Sequence, residues 1–309
     1  EEDSLRILRG IRFAAQLGFE IEKKTLRAME DKAKLLTFIS IERIQEEFTK
    51  TVTAPYCGKG LALFRETGVL PYVLGEACSA NAEASEWERF ERLAGGIDQV
   101  GLSGETDQVG PAEGIGPAGK SDSADRMLDL RLALIYLCFE KNRALSAIEW
   151  LGYSNEKKRL LRCGVGLIDA FERVEDKLEL KALLGRIGLQ IFSYLMDLSE
   201  QRCRIFGCDG IGRVGAGESP ARRNRELLLE IQSNGEPVFL RDLAVNGRDL
   251  IEAGVEEGAA IGKTLGLLLE TVHRFPEKNE KGQLLELAAK GRLARTIEGI
   301  AERIEIQET

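Results

Sequence analysis

Apolar residues recur every three or four positions along LRILRGIRFAAQLGF, TLRAMEDKAKLL, IERIQEEFTKTV and GLALFRETGVL. That is the spacing of one buried stripe on an α-helix, and it predicts a first section, residues 1–75, of helices joined by short turns. Gly18, Pro55 with Gly58, and Gly68 with Pro71 punctuate the joins. Ser40 is the expected N-cap of the third helix, with Glu42 in its first turn, where a carboxylate meets the positive end of the helix dipole. Helical periodicity resumes at RMLDLRLALIYLCF and continues through NRALSAIEWL, EKKRLLRCGVGLIDAF, LKALLGRIGLQIFSYLMDL and RNRELLLEIQS. Asn234-Gly235-Glu236-Pro237 then breaks it, ahead of a last section of short helices. No period-2 stretch is bounded by hairpin turns, so the predicted fold class is all-α.

Between Ala94 and Asp125 the texture changes to a Gly-, Ser- and Asp-rich stretch in which DQVG occurs twice. Too little apolar surface is available there to order the backbone, and a flexible insertion at about 94–125 is expected inside the helical body.

Composition narrows the functions. The chain has 309 residues, 43% hydrophobic, and a formal net charge of -8, so any contact with nucleic acid is local rather than spread over a polycation. Its one histidine, His273, excludes His-Asp phosphohydrolase clusters, His-rich zinc sites and paired-imidazole catalysis. Cys57, Cys78, Cys138, Cys163, Cys203 and Cys208 are scattered, without a CxxC pair, and read as reduced, mostly buried thiols of a cytoplasmic protein. No apolar run approaches the ~20 residues that span a bilayer, so no membrane partner is expected. The chain opens on EEDSLR without an initiating Met and is expected to begin inside a longer protein.

The first helix carries the most specific chemistry. At 100° per residue with Leu5 at zero, Ile7, Leu8 and Ile11 fall between about 200° and 300°, whereas Glu2, Asp3, Arg6 and Arg9 fall between about 40° and 160°. One face is core; the other sets a carboxylate beside guanidinium groups. Asp3 and Arg6, at i,i+3, can present an acceptor and a fork of donors to the edge of a ring. Cytosine and adenine each carry an amino donor beside a ring-nitrogen acceptor, whereas uracil and guanine show a carbonyl and a protonated ring nitrogen at the equivalent places, so such a pair would hold C or A and reject U or G. A wrong base would leave buried polar groups unpaired, at about 1–3 kcal/mol per group. Taken alone, E-D-x-x-R is a weak signal, and in a chain this charged its default reading is a solvated ion pair worth at most about 1 kcal/mol.

EDSLRILRGIRFAAQLGFEIEKKTLRAM, LLTFISIERIQEEFTK and GLALFRETGVLPYVLG together resemble, in order and spacing, the post-catalytic region of class II tRNA nucleotidyltransferases, the bacterial CCA-adding enzymes and their poly(A) polymerase relatives. PVFLRDLAVNGRDLIEAGVEEGAAIGKTLGLLLETVHRFPEKNEKGQLLELA is similar to that family's C-terminal tail; the middle matches in helical texture only. The resemblance implies an elongated neck over 1–75, a body over 76–235 and an RNA-binding tail over 236–309. It implies that Glu2, Asp3, Arg6 and Arg9 bind nucleotide, with Asp3 and Arg6 the protein template for CTP and ATP. Arg43 and Glu47, in the family's last neck motif, are expected to brace the neck rather than touch substrate.

The departures count equally. The family's Gly-rich nucleotide loop and its paired carboxylates for Mg2+ have no counterpart here; their position lies before Glu1, so this chain is expected to supply no catalytic residue and no metal ligand, and to be inactive alone. Leu137 and Cys138 stand where some relatives have a metal-binding His and Asp. GVEEGAAIGKTL falls short of a P-loop, because Glu257 occupies the position that needs Gly; it reads instead as a small-residue turn into a helix.

Two basic clusters offer a footprint for a tRNA backbone: Lys157, Lys158 and Arg159, and Arg202, Arg204, Arg222, Arg223 and Arg225. They equally balance an acidic surface. Without interleaved aromatics they suit recognition of a folded duplex better than base stacking. The expected role is CTP/ATP selection and tRNA binding within CCA addition; a poly(A) polymerase and a standalone helical RNA-binding protein are the alternatives.

Overall fold

α1 (Glu2–Leu17) buries Leu5, Ile7, Leu8, Ile11, Ala14 and Ala15 and leaves Phe13 and Leu17 exposed, as the 3.6-residue period requires. Its buried stripe packs on α3 (Ile41–Val52) and α4 (Cys57–Glu66). Ile44, Phe48, Thr51 and Val52 form the matching stripe of α3, and Phe48 meets Phe64 of α4 with ring centroids 5.7 Å apart. Each such fully buried apolar side chain contributes about 1.5–3 kcal/mol relative to exposure.

The computed structural model describes residues 2–78, 82–100, 123–207 and 219–290. Residues 101–122 of the expected flexible insertion lie outside them, but its ends are ordered: one α-helix runs to Gly96, Ile97 and Val100 are buried, and the next α-helix begins at Ser123, because these flanks carry apolar side chains that reach the core. Among the described residues every regular element is helical. α2 (Lys23–Lys32) and a 3-10 turn (Ala33–Phe38) lead from α1 to α3; α5 (Leu70–Leu74), a 3-10 turn (Gly75–Cys78), α6 (Ala84–Gly96) and a last 3-10 turn (Ile97–Gln99) follow α4. Next come α7 (Ser123–Tyr136), α8 (Lys141–Trp150), α9 (Asn155–Glu172), α10 (Lys177–Phe206), α11 (Pro220–Ser233), α12 (Gly247–Glu252) and α13 (Ala259–Arg274), with residues 281–290 forming α14.

Local chemistry explains most boundaries. Ser154 caps α9 by accepting from the Lys157 amide, and Glu140 caps α8 by accepting from Asn142 and Arg143. Asn246 and Asp249 form a reciprocal capping box at the start of α12. Gly258 precedes α13 at φ 101, so GVEEGAAIGKTL is a turn into a helix. Two expectations are modified. Ser40 occupies the N-cap position of α3, but its side chain makes no capping hydrogen bond. The continuous period read from LKALLGRIGLQIFSYLMDL is interrupted at Gly188, whose φ of 78 and ψ of 163 are tolerated because glycine has no Cβ.

The chain divides into two compact units, 1–173 with 189–223 and 174–188 with 224–309. In the first, Arg131 of α7 is 2% exposed and its guanidinium donates to the carbonyls of Val52 (2.7 Å), Ala54 (3.0 Å), Val100 (3.3 Å) and Asp98 (3.4 Å). It thereby satisfies carbonyls left open where α3 and the 3-10 turn after α6 end. The second unit has its own core, with Leu243, Val245, Leu250, Leu268, Val272 and Leu284 buried together.

Candidate functional site

The seam between α1 and α3 holds a buried carboxylate. Glu47, with its side chain 5% exposed, faces Arg12, whose Nη1 donates to Oε1 at 3.1 Å and lies 2.9 Å from Oε2; Arg9 Nε stands 3.6 Å from Oε1. A buried carboxylate is tolerated only when cations and donors compensate for lost hydration, so Glu47 holds both arginines and with them the rotation of α1 about its axis. Arg6 lies on the exposed side, one turn before Arg9. Glu2 and Asp3 belong to the first turn of α1, but their side chains fall outside the described residues.

Of the two residues read as braces, Glu47 is in contact with α1, whereas Arg43 is exposed on α3 with no ion pair among the described residues. Arg12, the principal partner of Glu47, was not singled out from the sequence. The three-residue spacing of Arg6, Arg9 and Arg12 was the available signal.

The basic clusters are held largely by intramolecular acids. Lys157 pairs with Asp129 at 2.5 Å, Lys158 with Glu149 at 3.4 Å, and Arg204 with Glu200 at 3.0 Å. Arg159 is exposed. Arg202 reaches Asp169 (2.9 Å) and Glu172 (3.0 Å), and Arg223 donates to the Glu172 carbonyl at 2.9 Å. Arg222 and Arg225 lie on α11, Arg222 exposed and Arg225 half-buried. Burial pushes the Glu172 carboxyl up to about 7, against the pull of Arg202 and the Ser199 hydroxyl.

His273 is buried, and its Nε2–H donates to the Val238 carbonyl at 3.0 Å, a structural use of the ring. Burial shifts its pKa downward, which favours the neutral imidazole. Lys181 donates to the His273 carbonyl at 3.1 Å and pairs with Glu236. Cys57 and Cys138 are buried free thiols, pushed up by desolvation, Cys57 to about 12. Among the described residues no group of three His, Cys, Asp or Glu side chains could hold a metal ion, and no helix is long and apolar enough to cross a membrane.

Residues 18–80, which include α2 to α5, match the family model described as the probable RNA and SrmB-binding site of polymerase A. A CCA-adding enzyme of Bacillus cytotoxicus is 46% identical over 95 residues, covering 29% of this chain and 24% of that protein; one from Bacillus cereus is 45% identical over the same length. In fold, the chain is similar to the Bacillus stearothermophilus CCA-adding enzyme solved in complex with CTP, at a TM-score of 0.63 and 23% identity, covering 96% of this chain and 64% of that one. A CCA-adding enzyme solved with ATP gives a TM-score of 0.53 at 18% identity, over 94% of this chain and 60% of that one. The region matched by the family model is all-α in this chain. Over the matched stretch the chain is similar to CCA-adding enzymes and to the polymerase A family model. The matched stretch spans about a quarter of the length of the curated relatives.

Proposed function

We propose that this chain is part of a tRNA nucleotidyltransferase that adds CCA to tRNA 3′ ends in the cytoplasm, selecting CTP and ATP through α1 and binding tRNA through its later helices. The observation that carries this reading is the adjacency of the matched RNA-binding region to α1, with Glu47 of that region gripping Arg9 and Arg12. Asp3 would accept a hydrogen bond from the amino group of C or A, and Arg6 would donate to the neighbouring ring nitrogen of either base. Glu47 is a positioning residue, because a fixed helix rotation keeps that edge in register. Mg2+ would serve the catalysis of the whole enzyme, and among the described residues no group of three His, Cys, Asp or Glu side chains could hold it. A poly(A) polymerase is the second reading, favoured by the polymerase A description of the matched region.

The test incubates the intact gene product with a tRNA lacking its 3′ end, together with CTP and ATP. A stop after C-C-A is expected; a long A tail establishes the second reading instead, and no incorporation overturns both. Arg6→Ala should lower discrimination against UTP and GTP by roughly ten- to hundredfold, while tRNA binding changes little. Unchanged selectivity would remove Arg6 from the template.

A further inference from the structure

The first unit contains an open cleft of 800 Å³ lined by apolar side chains, among them Leu36, Ile39, Ile44 and Ala147, together with Tyr72 and Trp150. Trp150, the last residue of α8, is 52% exposed. Its indole is seated against the backbone of Gly75: a Cβ there would come within 3.0 Å of Trp150 Cγ, and the φ of +56 also favours glycine. Thr37, Ser146 and Glu149 are the cleft's polar groups. An apolar cleft with a half-exposed ring and few polar groups is the general form of a site for a flat, partly polar ligand.

What faces the neighbouring surface narrows the ligand. Glu149 also lines a basic groove of 510 Å³ along α9, shared with Lys158, Arg159 and Arg162. It is bound there by Lys158 at 3.4 Å and Arg162 at 3.2 Å, so much of its charge is met locally, while Arg159 stays exposed. An aromatic cleft therefore opens beside a cationic groove, with one residue common to both walls. Residues of the matched RNA-binding region, from Leu36 to Gly75, supply most of the other wall. Arrangements of this kind take single-stranded nucleic acid, the bases on the rings and the phosphates on the cations. Trp150 precedes the basic cluster by only seven residues in the sequence, and the packing of Leu36, Ile44 and Tyr72 around it makes the cleft.

We propose that the Trp150 cleft takes an unstacked base of a single-stranded RNA segment, with the adjoining phosphates on Lys158, Arg159 and Arg162. This rests on the RNA-binding reading above and adds a base-stacking site to it.

The chain has two tryptophans, so Trp87→Phe leaves Trp150 as the sole indole reporter. The full-length Trp87→Phe protein is titrated with a single-stranded RNA of about 12 nucleotides, within the site size of such grooves, and with a duplex of equal length. Saturable quenching of Trp150 by the single strand and not by the duplex is expected. Trp150→Ala should weaken single-strand binding roughly ten- to hundredfold, and Trp150→Phe should retain most of it. Arg159→Ala should weaken binding of both RNAs and lower the salt dependence by about one phosphate. Single-strand binding that leaves Trp150 emission unmoved, as it would if the cleft served a protein segment, overturns the proposal and leaves the RNA reading standing. No binding of either RNA overturns both. The quenching measurement leaves position 150 intact and so does not depend on the folding of a cleft variant.

Discussion

Glu172 in the first unit is buried and Glu236 in the second only partly so; both carboxylates face cations, yet their acidities move in opposite directions. Burial is the largest influence on each and raises both. At Glu236 it is overcome by hydrogen bonds from Lys181, Asn234 and Lys177, which hold the carboxyl at about 2. At Glu172, whose side chain is fully buried, one hydroxyl and one guanidinium shared with Asp169 do not suffice, and it stays at about 7. A cation nearby does not make a buried carboxylate an anion; enough donors at hydrogen-bond distance do.

The strongest way to break that contrast is to remove the cation that Glu236 depends on. Lys181→Met should cost up to about 3 kcal/mol, because the partly buried Glu236 carboxylate loses one of its two cationic partners and keeps Lys177. Urea unfolding measures it, and Lys181→Met with Glu236→Gln should recover part of the loss; a double variant no better than the single would mean that packing, not pairing, dominates.

A pH series sharpens the other half. The folded pKa of Glu172 is raised from 4.5 to about 7, so the folded state binds more protons than the unfolded chain across that window. Its contribution is therefore favourable at low pH and is lost as pH rises from about 4.5 through 7, by roughly 3 kcal/mol for such a shift. Glu172→Gln should lack this slope, so its stability gains on the unsubstituted protein as pH climbs; parallel pH profiles would refute the assignment. Glu236 carries the opposite sign: its stabilisation is present above the unfolded pKa of 4.5 and is lost as pH falls through about 2.

The smallest expected effect comes from Ser199→Ala. Loss of the 2.9 Å hydrogen bond to Glu172 should cost about 1 kcal/mol near neutral pH and push the carboxyl higher still, visible as an upward shift in its titration by NMR. A shift downward would mean that the serine opposes ionisation.

Much of the helical layout was legible. The stripe of Leu5, Leu8 and Ile11 predicted the buried face of α1, and IERIQEEFTKTV corresponds to α3 with Glu42 in its first turn. The break at Gly188 was not legible, because apolar spacing on either side of a glycine stays helical whatever its φ. The candidate site was legible in part: Glu47 was singled out, but Arg12 as its partner depends on how α1 rotates against α3. The basic clusters were visible as charge, and their pairing with Asp129, Glu149, Asp169 and Glu172 was not.

The sequence by itself determined that the chain builds helices, where most begin and end, and that α1 has a polar face bearing arginines opposite a core face. These are consequences of local spacing and capping, which act within a few residues. Contacts far apart in the chain set the rest: Glu47 reaches 35 residues back to Arg12, and Leu36, Ile44 and Tyr72 close a cleft against Trp150. They also decided that two similar glutamates titrate on opposite sides of 4.5, because burial and donor count are set by which helices meet.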